Sequence, residues 1–117
     1  MPENLKLDYI ELPANDFDAV QKFYEQCFDW KFTDYGAEYR AFTDGKLDGG
    51  FYRSELKSTT AAGSVLVVIY AVNLEDALAT VVANGGLVVR DIISFPGGRR
   101  FQFADPCGNE LAIWSDR

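Results

Sequence analysis

The chain is expected to fold as an α+β domain made of two copies of one strand–helix–three-strand (βαβββ) module. Three observations lead there. Two segments carry apolar residues at three- and four-residue steps, the mark of amphipathic helices: Val20, Phe23, Tyr24, Cys27, Phe28 and Leu74, Ala77, Leu78, Val81, Val82. Their starts, Phe17 and Leu74, lie 57 positions apart. Each helix is preceded by one strand-like run and followed by three more. Asp16-Phe17-Asp18 aligns with Asn73-Leu74-Glu75, and Trp30-Lys31-Phe32 with Leu87-Val88-Val89. That residue match is weak, so the repeated order of elements carries the duplication.

Module one is expected over about residues 5–53. Its first strand alternates over 5–12 and stops at Pro13, and Asn15 or Asp16 caps the helix. Strands follow near 30–33, 39–42 and 47–52, separated by the turn signals Asp34-Tyr35-Gly36 and Thr43-Asp44-Gly45. The polar, small-residue stretch 54–63 reads as a linker. Module two spans about 64–116. It opens with the continuous β-branched run 65–72, expected as a buried strand. Asn73 caps the second helix and Gly85-Gly86 ends it. Strands are expected at 87–93, 100–104 and 110–115. At 117 residues the two modules make one domain, 1–117.

Composition narrows the function. A formal charge of -7 argues against nucleic acid, which needs a basic patch to displace its counterions. No apolar run approaches the roughly 18 residues of a membrane helix, and the first residues do not read as a signal peptide. A cytoplasmic protein is expected, with Cys27 and Cys107 as thiols. The chain has no histidine, which removes Ser–His–Asp and Cys–His nucleophile systems. Pro96-Gly97-Gly98-Arg99-Arg100 lacks the Lys-Ser/Thr ending and following helix of a nucleotide loop, so it reads as a glycine-rich turn.

The closing segment Asp105-Pro106-Cys107-Gly108-Asn109, followed by Glu110-Leu111-Ala112-Ile113-Trp114, is the most specific motif. On its own chemistry it is a turn: Pro106 presets φ, Asp105 accepts backbone hydrogen bonds and Gly108 adopts the left-handed conformation. Together with Phe23-Tyr24, residues 9–16 and Phe28-Asp29-Trp30, it resembles the vicinal oxygen chelate superfamily of glyoxalase I, extradiol dioxygenases and bleomycin-resistance proteins. The resemblance implies that each module curls into half of a barrel around a cavity, with the helices outside, and that the chain forms a homodimer. It also implies four metal-ligand positions, usually His, Glu or Gln in active members. They fall on Tyr9, Leu66, Ala112 and a fourth residue near Gly49 to Phe51. Leu66 and Ala112 have no donor atoms, and without imidazole only oxygen-rich sites for harder ions remain. Glyoxalase I or dioxygenase activity is therefore not expected, nor a metal or cofactor.

Strand alternation sends Tyr9 and Glu11 toward the cavity. It does the same for Leu66, Val68 and Tyr70, for Glu110, Ala112 and Trp114, and for Arg100 and Gln102, while Phe101 and Phe103 join the core. The expected ligand-binding set is Tyr9, Glu11, Phe51, Leu66, Tyr70, Arg100, Gln102, Glu110 and Trp114. Duller roles compete: packing for Tyr9 and Trp114, an exposed rim for Glu110, and backbone satisfaction for Gln102. Glu11, between Ile10 and Leu12, is expected to be partly desolvated. It is a candidate acid/base, a partner for a cationic ligand, or an ion-pair partner of Arg40 or Arg100. The leading expectation is a metal-independent, glyoxalase-like protein holding a small cationic or aromatic molecule. The alternatives are a lyase or isomerase acting on a small carbonyl compound through Glu11, and an antibiotic-sequestering protein of the bleomycin-binding type.

Overall fold

A computed structural model describes residues 1–117. Two helices begin by the same device. The Asp16 carboxylate accepts the Ala19 amide at 3.0 Å and opens α1 (Phe17–Phe28); the Asn73 side chain accepts the Asp76 amide at 3.0 Å and opens α2 (Leu74–Ala83). Such caps satisfy amides that the first turn leaves without partners. The endings differ. After α1, Asp29 itself turns left-handed at φ 59°, whereas after α2 the turn is made by Gly85 at φ 93°.

Eight strands form two four-stranded mixed sheets. The first contains β1 (Tyr9–Ala14), β2 (Lys31–Asp34), β3 (Tyr39–Thr43) and β4 (Asp48–Arg53) in the order β1-β4-β3-β2. The second contains β5 (Val67–Tyr70), β6 (Leu87–Phe95), β7 (Gly98–Ala104) and β8 (Glu110–Ser115) in the order β5-β8-β7-β6. In both, the strand before the helix pairs in parallel with the last strand of the module, and the other pairs are antiparallel. The duplicated βαβββ architecture is thus present, strand for strand.

The chain divides into two compact units, 1–56 and 57–117. In the first, α1 buries Phe17, Val20, Phe23 and Tyr24 against its own sheet. Tyr24 stacks on Trp30 at 4.4 Å, and Trp30 on Phe42 at 4.6 Å. Aromatic pairs of this kind add to the area they bury. In the second, α2 buries Leu74 and Val81, and Phe101, Phe103, Leu111 and Ile113 are fully buried on the sheet.

Two expectations need correction. The first strand runs over Tyr9–Ala14, through Pro13, because β1 is an edge strand and Pro is tolerated there. Residues 5–8 lie outside it, and Leu7 is fully exposed. The run 65–72 yields only the short strand β5, with Val68 and Tyr70 exposed on one face; it too is an edge strand. The stretch 54–63 makes hydrogen bonds within both units. Ser54 donates to the Ala14 carbonyl in unit one, while Ser58 donates to Asn109 and accepts from the Glu110 amide in unit two.

Candidate functional site

Helices cover one face of each sheet, so chemistry is available on the other. In unit one that face carries Tyr9 and Glu11 from β1. Their register partners on β4 are Asp48 and Gly50; Thr43 and Ala41 on β3, then Lys31 and Thr33 on β2, continue the same rows. Tyr9, Lys31, Thr33, Tyr35, Tyr39, Ala41, Thr43 and Asp48, with Phe42 and Gly49, line a cleft of about 360 Å³.

Two of the lining residues, Tyr9 and Tyr39, belong to a chain of hydroxyls ending in a carboxylate. The Tyr39 hydroxyl donates to Glu11 Oε2 at 2.8 Å and lies 2.6 Å from the Tyr9 hydroxyl. Gly50 makes room for it, because a Cβ there would fall on the Tyr39 hydroxyl. Burial first, then the bonds to Tyr9 and Glu11, hold the Tyr39 phenol well above the ordinary tyrosine value of 10.0, so it keeps its proton. Glu11 itself is exposed, not desolvated as its apolar neighbours suggested; those neighbours point to the other face. Arg40 is not its partner in the unit. That guanidinium lies on the helix side, 2.8 Å from Asp18 and 3.6 Å from Asp34.

Phe51 does not line this cleft. It pairs in register with Leu12, so alternation turns it toward α1, where it is fully buried 5.7 Å from Tyr24 and 5.3 Å from Phe42. Sequence reasoning also passed over Tyr39, Lys31 and Asp48. Alternation against the buried Phe42 and half-buried Phe32 was the available signal for the β2 and β3 residues.

Unit two arranges its corresponding face differently. Tyr70, Trp114 and Arg100 are neighbours across β5, β8 and β7, as are Val68, Ala112 and Gln102. The Tyr70 and Trp114 rings meet edge to face at 5.2 Å, and the Tyr70 hydroxyl donates to Asp116 at 2.6 Å. Gln102, 5% exposed, donates to Glu110 and accepts from Arg100 at 3.2 Å. Glu110 also accepts the Thr60 amide and hydroxyl, both at 2.9 Å. Desolvation pushes the Glu110 carboxyl up, but the bonds from Thr60 and Gln102 and the charge of Arg90 outweigh it and leave it below 4.5. Gln102 therefore serves side chains, not backbone groups. Leu66 precedes β5 and is half-buried.

The register also resolves the fourth ligand position. The 57-residue offset maps Glu11 onto Val68; Val68 pairs with Ala112 and Glu11 pairs with Gly50, so Gly50 is the counterpart of Ala112. The four positions are then Tyr9, Gly50, Leu66 and Ala112, of which only the Tyr9 phenol offers a donor atom. No three His, Cys, Asp or Glu side chains converge anywhere in the chain. This donor set does not fit the transition ions that imidazole and carboxylate ligands hold.

Comparison with known proteins places the fold. The family described as Glyoxalase/Bleomycin resistance protein/Dioxygenase superfamily matches residues 6–113. A glyoxylase-like domain-containing protein of Didymella fabae is 32% identical, over 89% of this chain and 88% of its own. Among solved structures, a glyoxalase-related enzyme from Fulvimarina pelagi superposes with a TM-score of 0.78 at 19% identity, over 95% of this chain and 88% of that one. A fosfomycin resistance protein from Mesorhizobium loti gives 0.76 at 14%, over 97% and 93%.

Proposed function

The chain belongs to the Glyoxalase/Bleomycin resistance protein/Dioxygenase superfamily, and from that premise we propose that it binds a small organic molecule without the family's metal. One observation carries the reading. Where metal-dependent members place ligands, module one has a glycine and a tyrosine, and the hydroxyl chain Tyr9–Tyr39–Glu11 fills the space beside them. Apolar walls with a few fixed polar groups give affinity and orientation to a small ligand. Tyr9 and Glu11 are the proposed binding residues of module one, joined by Tyr39 and Asp48. Tyr70, Arg100, Gln102, Glu110 and Trp114 supply a second polar and aromatic face.

Catalysis through Glu11 has less support, because Tyr39 already donates to one of its oxygens and that phenol holds its proton. A second copy is the proposed protein partner, supported by the exposed apolar Leu87, Val89, Ile93 and Phe95 on β6. Sedimentation at 13.1 kDa alone would remove it. A reducing, intracellular setting is proposed as well, supported by Cys27 and Cys107 being thiols. No helix is long and apolar enough to cross a membrane.

An amide-resolved NMR screen of a fragment library, run with a chelator present, tests the central reading. Shifts are expected at Tyr9, Tyr39 and Asp48 without added metal. Binding or turnover that appears only with nickel, zinc or iron would overturn it.

A further inference from the structure

Hydrogen bonds have direction, and in the cleft of module one the direction is determined. A phenol carries one proton. Tyr39 spends its proton on Glu11 Oε2, so the 2.6 Å contact between the two hydroxyls must use the proton of Tyr9. The chain therefore runs Tyr9 to Tyr39 to Glu11. Tyr9, the outermost member, has no proton left to offer; its oxygen presents only lone pairs. The raised affinity of Tyr39 for its proton keeps this polarity in place at neutral pH.

One other group of the cleft has the same character. Asp48, the register partner of Tyr9, is an exposed carboxylate. Thr43 Oγ1 accepts the Gly45 amide at 3.1 Å and keeps its own proton to donate. The one cation in the lining, Lys31, is held by Asp29 at 2.9 Å. The Tyr9 oxygen and the Asp48 carboxylate thus offer only lone pairs to a space walled by the rings of Tyr9, Tyr35 and Tyr39. An acceptor-only oxygen beside a carboxylate rewards an N–H-bearing cation, which aromatic faces also attract.

We infer that this cleft receives a primary ammonium group on a small aromatic body, its N–H groups taken by the Tyr9 oxygen and the Asp48 carboxylate. The inference rests on the small-molecule reading above and supplies its ligand class. Three probes of similar shape test it: phenethylammonium, phenethyltrimethylammonium and phenylacetate, each titrated by amide-resolved NMR into the intact chain and into Tyr9→Phe. Phenethylammonium is expected to bind most tightly, with shifts at Tyr9, Tyr39 and Asp48, and phenylacetate most weakly. Tyr9→Phe keeps the ring and deletes the terminal acceptor. It should weaken phenethylammonium by about fivefold or more and leave the trimethyl probe, which has no N–H, unchanged.

Phenylacetate binding the cleft as tightly as phenethylammonium would overturn the inference while leaving a small-molecule site standing. Equal weakening of both cations by Tyr9→Phe would also overturn it, since the phenol would then matter only for packing. If no probe moves the cleft amides at millimolar concentration, the ammonium assignment fails, and the broader reading is judged separately by the fragment screen. Asp48→Asn provides a second variant that leaves the hydroxyl chain itself unaltered, expected to weaken both cations and to strengthen phenylacetate.

Discussion

The two modules share one topology and spend their polar groups in opposite ways. On the open face of module two, Glu110, Gln102, Arg100 and Thr60 are bonded to one another, so both Glu110 oxygens and the Gln102 carbonyl already have donors. On the face of module one, the hydroxyl chain of Tyr9, Tyr39 and Glu11 ends in an acceptor with nothing bonded to it, beside an exposed Asp48. Polar groups bonded to one another rigidify a sheet, whereas an unbonded acceptor is left to solvent or a ligand. The two modules are thus equal scaffolds that differ by side-chain choice at matching positions (Gly50 against Ala112, Glu11 against Val68).

The largest expected break in this comparison lies in the two hairpin turns. Asp105 is buried, and its Oδ1 accepts the amides of Cys107 at 2.9 Å and Asn109 at 3.0 Å. Asp44 does the same for Lys46 at 2.8 Å and Leu47 at 2.7 Å, but at the exposed β3–β4 turn. Asp105→Ala should cost about 3–4 kcal/mol in urea unfolding and Asp44→Ala about 1, because only the buried amides lose access to water. Equal costs would mean that burial does not separate the two turns.

Next in size are the adjacent glycines of β4. A Cβ at Gly49 would meet the ring of Phe42 in the core, and one at Gly50 the hydroxyl of Tyr39 in the cleft. Gly49→Ala is expected to lower stability by about 2 kcal/mol. Gly50→Ala should cost less in thermal unfolding and more in ligand binding. The reverse order would reassign the two faces of the strand.

Glu110 gives a smaller effect with a definite sign. Its folded carboxyl sits below 4.5, so its contribution is complete above that pH and fades as pH falls through the lower folded value. Glu110→Gln should flatten that part of the acid limb of a stability–pH curve, and an unaltered limb would show that the Thr60 and Gln102 bonds contribute nothing. Smallest is the helix ending. Asp29→Gly removes the left-handed strain that Gly85 avoids in the other module, and a gain of up to about 1 kcal/mol is expected from the melting temperature. A loss would show that the Lys31 ion pair outweighs the strain.

Local chemistry was legible in the sequence and cross-strand register was not. Asp16 and Asn73 announced both helices, and Asp105 with Gly108 announced the last hairpin, because each acts on backbone within a few residues. Tyr9 and Glu11 were placed on one face by alternation alone. Their partner Tyr39 was missed, since the contact spans 28 residues and nothing local encodes it. Phe51 shows the penalty for one uncertain residue of register: a slip from 50 to 51 exchanges cleft for core. The run 65–72 misled because β-branched residues signal a strand without saying whether both of its faces are covered.

The seam between the units has a practical use. Hydrogen bonds from residues 54 and 55 return to the first module and those from 58 to 60 lock onto the second, while Leu56 is 70% exposed. A guest domain, or new termini made by circular permutation, can enter between Leu56 and Lys57 without cutting either set of bonds. Loss of folding on such an insertion, seen by circular dichroism, would show that the continuity of the chain at this point does more than join two halves.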